Sequence, residues 1–109
     1  MDDNAKLSMI KTLLEISGTS YDTQLGVYLD FAKREILNYL YILVPQPEDV
    51  TDVPTKYEMV QVQAVVAGFN LRGAENQSSH TENGISRTFV YSDMVEYIKN
   101  NVLPYAKVG

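Results

Sequence analysis

No cysteine and no tryptophan occur among the 109 residues, and histidine appears once. The missing thiols exclude disulfides, thiolate metal sites and cysteine nucleophiles, and they leave the redox compartment open. His80 has only Glu75 and Glu82 near it in sequence, so it lacks the partners of a zinc site or of a nucleophile and its base; it reads as an exposed loop histidine. Positive charge is scarce as well: nine Lys and Arg face fourteen Asp and Glu, a net charge of −5. With no local run of basic residues, the chain has no field with which to grip phosphates. No apolar run approaches the roughly 20 residues of a membrane span. The opening Met1-Asp2-Asp3-Asn4 is acidic where a signal peptide is basic and then apolar, so the chain is expected to stay in the cytosol until it assembles.

Catalytic patterns are equally thin. The glycines form no GxGxxG and no P-loop, and Ser78, Ser79, Ser86 and Ser92 stand in no nucleophile elbow. Asp2-Asp3 and Glu48-Asp49 are adjacent acids in terminal or proline-rich stretches, where carboxylates are usually solvated rather than set to divide acid and base roles. Neither an enzyme nor a cofactor or metal site is expected.

What is present fits one small domain over residues 1–109. Apolar residues make up 45% of the chain, an ordinary globular share, and a domain of this size buries roughly two thirds of the surface its unfolded chain exposes. Eight tyrosines supply rings that bury a body while keeping a hydroxyl in water, which suits the rim of a small core and also subunit contacts.

Periodicity predicts a mainly α fold, a small four-helix bundle with an extended loop or β-hairpin between helices 3 and 4. Leu7, Ile10, Leu13 and Leu14 lie at helical spacing within 4–17, with Lys6 and Lys11 pointing outward and Gly18 after the end. Ser20 or Asp22 caps a second helix over 22–43, whose stripe runs through Leu25, Leu29, Ala32, Ile36, Tyr39 and Leu43, with Asp30 and Arg34 paired on the other face. Pro45 and Pro47 stop it. Asp52 and Pro54 open a third helix over 54–72 that is apolar nearly all round, with Gln61, Gln63 and Asn70 its only polar side chains from Met59 to Leu71. Such a helix is either the centre of the bundle or is covered by a neighbouring subunit. Gly73 reads as its stop, followed by a polar hairpin or loop over 74–91 in which Asn83-Gly84 favours a tight turn. A last helix over 92–103 presents Met94, Val95, Ile98 and Val102 on one side and Lys99 and Asn100 on the other. The tail from Tyr105 to Gly109 is expected to be loose.

The run Phe69-Asn70-Leu71-Arg72-Gly73-Ala74-Glu75, then Ser78-Ser79-His80 and Gly84-Ile85-Ser86-Arg87-Thr88-Phe89, resembles the small head-tail connector (adaptor, or head-completion) proteins of long-tailed phages and prophages. Ile10 to Leu14, Tyr21-Asp22 and the second helix with Ile36 and Tyr39 also look like that family's opening. Ala74-Glu75-Asn76 departs from it, standing where many relatives place a second glycine after the acidic residue. The resemblance implies a structural virion protein, assembled in the host cytoplasm, that forms a ring of about a dozen copies of itself beneath the portal protein. Such a ring continues the DNA channel toward a stopper or tail-completion protein, and DNA passes it without sequence-specific binding. On that implication Arg72, Glu75, Arg87 and Phe89 are the candidate contacts between subunits or with the hairpin, and Tyr105 and Val108 the candidate contacts with the portal.

Two other readings remain. A four-helix chain of this length could be a DNA-binding regulator, although its third helix is too apolar to read a groove and its fourth carries one lysine. A tail-completion protein would share the virion setting and differ only in its partner.

Overall fold

The computed structural model describes residues 1–78 and 93–106, with side chains described for 1–69 and 93–106. Among the described residues there are four α-helices, α1 (Asp3–Leu14), α2 (Asp22–Leu40), α3 (Glu58–Ser78) and α4 (93–101), and one 3-10 turn, Thr55–Tyr57, leading into α3. No strand occurs among the described residues. The hairpin expected around Asn83-Gly84 lies outside them.

Each helix boundary has a local cause. Asp2 accepts a hydrogen bond from the Ala5 amide at 2.8 Å and caps α1. The helix ends earlier than the expected 17, because Glu15 takes a left-handed conformation (φ 58). The Glu15 and Ile16 amides then turn back to the Thr12 and Lys11 carbonyls at 3.2 and 2.9 Å, which closes the last turn with a residue that bears the Cβ penalty glycine avoids. Gly18, with φ 83, serves the turn beyond. At the start of α2 neither Ser20 nor Asp22 is the cap: Tyr21 holds that position without a side-chain cap bond. The helix ends at Leu40 rather than 43: the Tyr41 amide still reaches the Leu37 carbonyl at 3.1 Å, and the Ile42 amide turns back to the Tyr39 carbonyl at 3.4 Å.

The third helix departs from expectation at both ends. Pro54 stays extended (ψ 148) and the 3-10 turn intervenes, so α proper starts at Glu58. Asp52 is engaged elsewhere: its carboxylate accepts from the Val53 amide at 2.7 Å and from Lys6 Nζ at 3.5 Å. At the other end α3 runs through Gly73 to Ser78, so the expected stop at Gly73, with a loop from 74, is corrected. An interior glycine costs about 1 kcal/mol against alanine, and Ala74, Glu75 and Gln77 are strong enough helix formers to carry the chain past it.

One core joins the four helices. Ile10 from α1, Leu25, Leu29, Ala32, Ile36 and Leu40 from α2, Val62, Ala64 and Val65 from α3, and Met94 and Ile98 from α4 are buried together, with Val53 and Val102 closing the ends. The central position of α3 follows, since it packs against both α1 and α2 and its nearly unbroken apolar surface has partners on two sides. Two parts of the expected stripes fall outside the core: Leu13 is exposed on α1, and Leu43, beyond the end of α2, is exposed too. Lys6 is the opposite correction. It was expected to point outward and is buried, its stem inside the α1 packing and its ammonium on Asp52. Lys11 pairs with Asp22 at 2.9 Å, joining the last turn of α1 to the first turn of α2 with the charges each helix end favours.

Candidate functional site

Where the C-terminal end of α2 meets the start of α3 and the segment after α4, the chain concentrates tyrosines. The Tyr105 amide donates to the Leu40 carbonyl at 2.9 Å, and the Leu103 amide donates to the Tyr57 hydroxyl at 3.3 Å. The Tyr41 and Tyr105 rings lie 5.2 Å apart, and Lys56 Nζ stands 5.1 and 5.6 Å from the Tyr57 and Tyr105 ring centres, within cation–π range. Tyr105 is therefore tied into the fold, and the tail is anchored at least through that residue. Around this knot, Ile42, Leu43 and Leu103 remain 63%, 61% and 78% exposed. Ile42 also borders a shallow groove of about 130 Å³ between α2 and α4, shared with Tyr39, Val95 and Ile98. Three large aliphatic side chains are thus held in water near a braced backbone, apolar surface that covering would stabilise.

Part-way along α2 the surface is built differently. Asp3, Asn4 and Leu7 of α1, Gly26, Leu29, Asp30 and Lys33 of α2, and Gln61 of α3 line a recess of about 220 Å³. Gln61 is 1% exposed. Its Nε2 donates to the Leu29 carbonyl at 3.0 Å, which fixes the orientation of the amide, and its Oε1 is buried without a hydrogen-bond partner among the described residues. On the rim Asp30 is paired with Arg34 at 2.8 Å and with Lys33 at 3.8 Å.

Sequence reasoning pointed elsewhere. Arg72 and Glu75 stand three residues apart on the extended α3, where only the backbone is described. Arg87, Phe89 and Val108 lie outside the described residues. Tyr105 is the one candidate whose side chain is described, and it packs at the tyrosine knot. Gly26 and Gln61 carried usable signals: a glycine inside an amphipathic stripe, and an amide on an otherwise apolar helix. The exposure of Ile42 and Leu43 could have been read from the distance a helix must end before Pro45.

Among the described residues no group of His, Asp and Glu is placed to hold a metal ion, and no helix is long and apolar enough to cross a membrane. The exposed aliphatic side chains near the tyrosine knot and the recess beside Gln61 are surface features of a small helical frame. The chain belongs to the phage gp6-like head-tail connector protein family, whose family model matches residues 4–101. Neither the curated proteins nor the solved structures give a match to it. The family is structural, which makes the chain a component of the phage particle.

Proposed function

We propose that this chain is a single-domain subunit of the ring between the portal and the tail or the next connector component, assembled in the host cytoplasm and continuing the DNA channel. The observation that carries the reading is membership of the connector family over residues 4–101. The exposed patch of Ile42, Leu43 and Leu103 supports it physically. A repeated interface gains free energy from apolar area at roughly 25 cal/mol per Å², and a patch present once per subunit is used as many times as the ring has copies. A net charge of −5 suits a wall that DNA must pass without capture.

In this reading the work is assembly. The patch meets a neighbouring copy or the portal, and Arg72, Glu75, Arg87, Phe89 and Val108 supply further contacts between subunits or with the portal. Tyr105 acts by holding the end of the patch in place.

The test is electron microscopy of lysates from the parent phage or prophage with this reading frame deleted. Filled or empty heads beside unattached tails, restored to whole particles by supplying the protein in trans, are the expected result. Normal infectious particles from the deletion would sink the connector reading.

A further inference from the structure

We propose that the groove between α2 and α4 is the seat of a two-fold contact with a second copy of this chain, each copy placing its Leu103 in the groove of the other. The groove is lined by the apolar side chains of Ile42, Val95 and Ile98 together with Glu35, Asn38 and Lys99. Leu103 is 78% exposed, yet its backbone is fixed. Its amide donates to the Tyr57 hydroxyl, and the Tyr105 amide, two residues on, donates to the Leu40 carbonyl. Pro104 between them restricts Leu103 further, toward extended backbone. An apolar side chain presented on a fixed backbone loses less freedom on docking than one on a mobile tail. Leu40 stands two residues before Ile42, and Lys99 four residues before Leu103, so the presented leucine and the groove lie at the same end of the molecule.

Charge selects a second copy as the occupant. Glu35 and Lys99 line the same groove, and neither enters an ion pair among the described residues, with each other or with any other side chain. A two-fold axis sets Glu35 of each copy against Lys99 of the other, so both charges are matched and no third molecule is needed. One acid and one base also leave the groove lining neutral in a chain of net charge −5, so two copies meet there without adding to the repulsion that the net charge imposes. The groove's volume of about 130 Å³ is close to the roughly 150 Å³ left by trimming one leucine from a packed core, a fit for one leucine side chain. Because leucine and groove share one end, the contact closes on itself and cannot grow into a ring. The dimer is therefore a state of the free chain, in which Leu103 is covered until the subunit enters an assembly. The contact goes beyond the connector reading and does not depend on it.

Sedimentation equilibrium of the full-length protein over a concentration series tests the contact. A monomer–dimer equilibrium with a dissociation constant on the order of 100 μM is expected of so small an interface. A chain that stays monomeric up to about 1 mM, or that forms trimers and larger species, would overturn the two-fold contact. Leu103→Asp, at a site too exposed to disturb the fold, should weaken dimerisation at least about tenfold with the thermal melt intact; unchanged association would place the contact elsewhere and sink the proposal. A charge exchange then asks whether the two copies meet as described. Glu35→Lys and Lys99→Glu each set like charges against one another across the axis, and each alone should dimerise at least about tenfold more weakly. Mixed in equal amounts, the two variants recreate both opposite pairs, and a heterodimer near the wild-type strength is expected. A mixture as monomeric as its components would show that Glu35 and Lys99 do not face each other, and the contact falls. None of these outcomes depends on whether the deletion leaves heads and tails unjoined, so the dimer and the connector reading stand or fall separately.

Discussion

Just past its C-terminal end α2 is followed by Ile42 and Leu43, left in water as Leu103 is, whereas part-way along its length there is space at Gly26 and, on α3, an acceptor of Gln61 unmet among the described residues. The first region spends apolar surface, the second spends a hydrogen bond, and neither choice helps a chain that remains alone. They differ in what they ask of a partner. Apolar area is non-directional and accepts any complementary shape, while a single buried acceptor accepts only a donor at the right distance and angle. An assembly surface with both has one region to supply affinity and another to fix register. The core proper is different, with Ile36, Val62, Val65 and Ile98 buried in one apolar cluster. That core provides the scale against which both regions can be measured.

Truncating the core should give the largest effect. Ile36 is completely buried among α2, α3 and α4 residues, so Ile36→Ala should cost about 2–5 kcal/mol in chemical denaturation, the lost transfer energy plus the cavity left behind. A loss below about 1 kcal/mol would show that the helices close over the gap and that the contrast between core and recess is shallow.

Next comes the recess, where the expected sign reverses. Gln61→Met removes the orphaned oxygen, a burden of about 1–3 kcal/mol, together with the amide's bond to the Leu29 carbonyl, worth about 0.5–1.5 kcal/mol. The Leu29 carbonyl lies inside α2, where the helix ladder also offers a donor. The free chain should gain about 1 kcal/mol, read as a higher denaturation midpoint at unchanged m-value. A destabilised Gln61→Met would mean that solvent already satisfies the oxygen. Gly26→Ala should act in the same direction by about 0.5–1 kcal/mol, because the methyl group meets open space and the helix loses its weakest interior residue. A lowered melting temperature for Gly26→Ala would contradict the open wall on which the comparison depends.

The four helices and most of their buried faces could be read from spacing alone. Leu25, Leu29, Ala32 and Ile36 on α2, and Met94 and Ile98 on α4 with Val102 just past its end, are buried as their periodicity implies, since a 3.6-residue repeat leaves few ways to arrange an apolar stripe. What spacing could not carry were choices made between distant parts of the chain. Lys6 is buried because Asp52, 46 residues away, comes within 3.5 Å of it; by pattern alone a lysine between apolar neighbours points outward. The helix passes Gly73 because glycine lowers helix stability without forbidding it, whereas Glu15 ends α1 in a conformation that its side chain disfavours. The recess was illegible for a similar reason. Gly26 and Gln61 are 35 positions apart and become neighbours only when α2 and α3 pack. The family resemblance, carried by residues around Phe69 to Phe89, was legible without any of this packing, as the match over 4–101 shows.

The apolar patch should give the smallest change in stability and a large change in assembly. Ile42 and Leu103 are 63% and 78% exposed, so replacing both with serine removes little buried area, and the free chain should shift by no more than about 0.5 kcal/mol. Tyr41, Tyr57 and Tyr105 hold the backbone beneath them and are untouched, so the tyrosine knot should keep its near-ultraviolet dichroism. If the patch is covered in the particle, complementation of the deletion by the double variant should leave heads and tails unjoined despite normal folding. Joining at the wild-type level would show that Ile42 and Leu103 stay in water in the assembled phage.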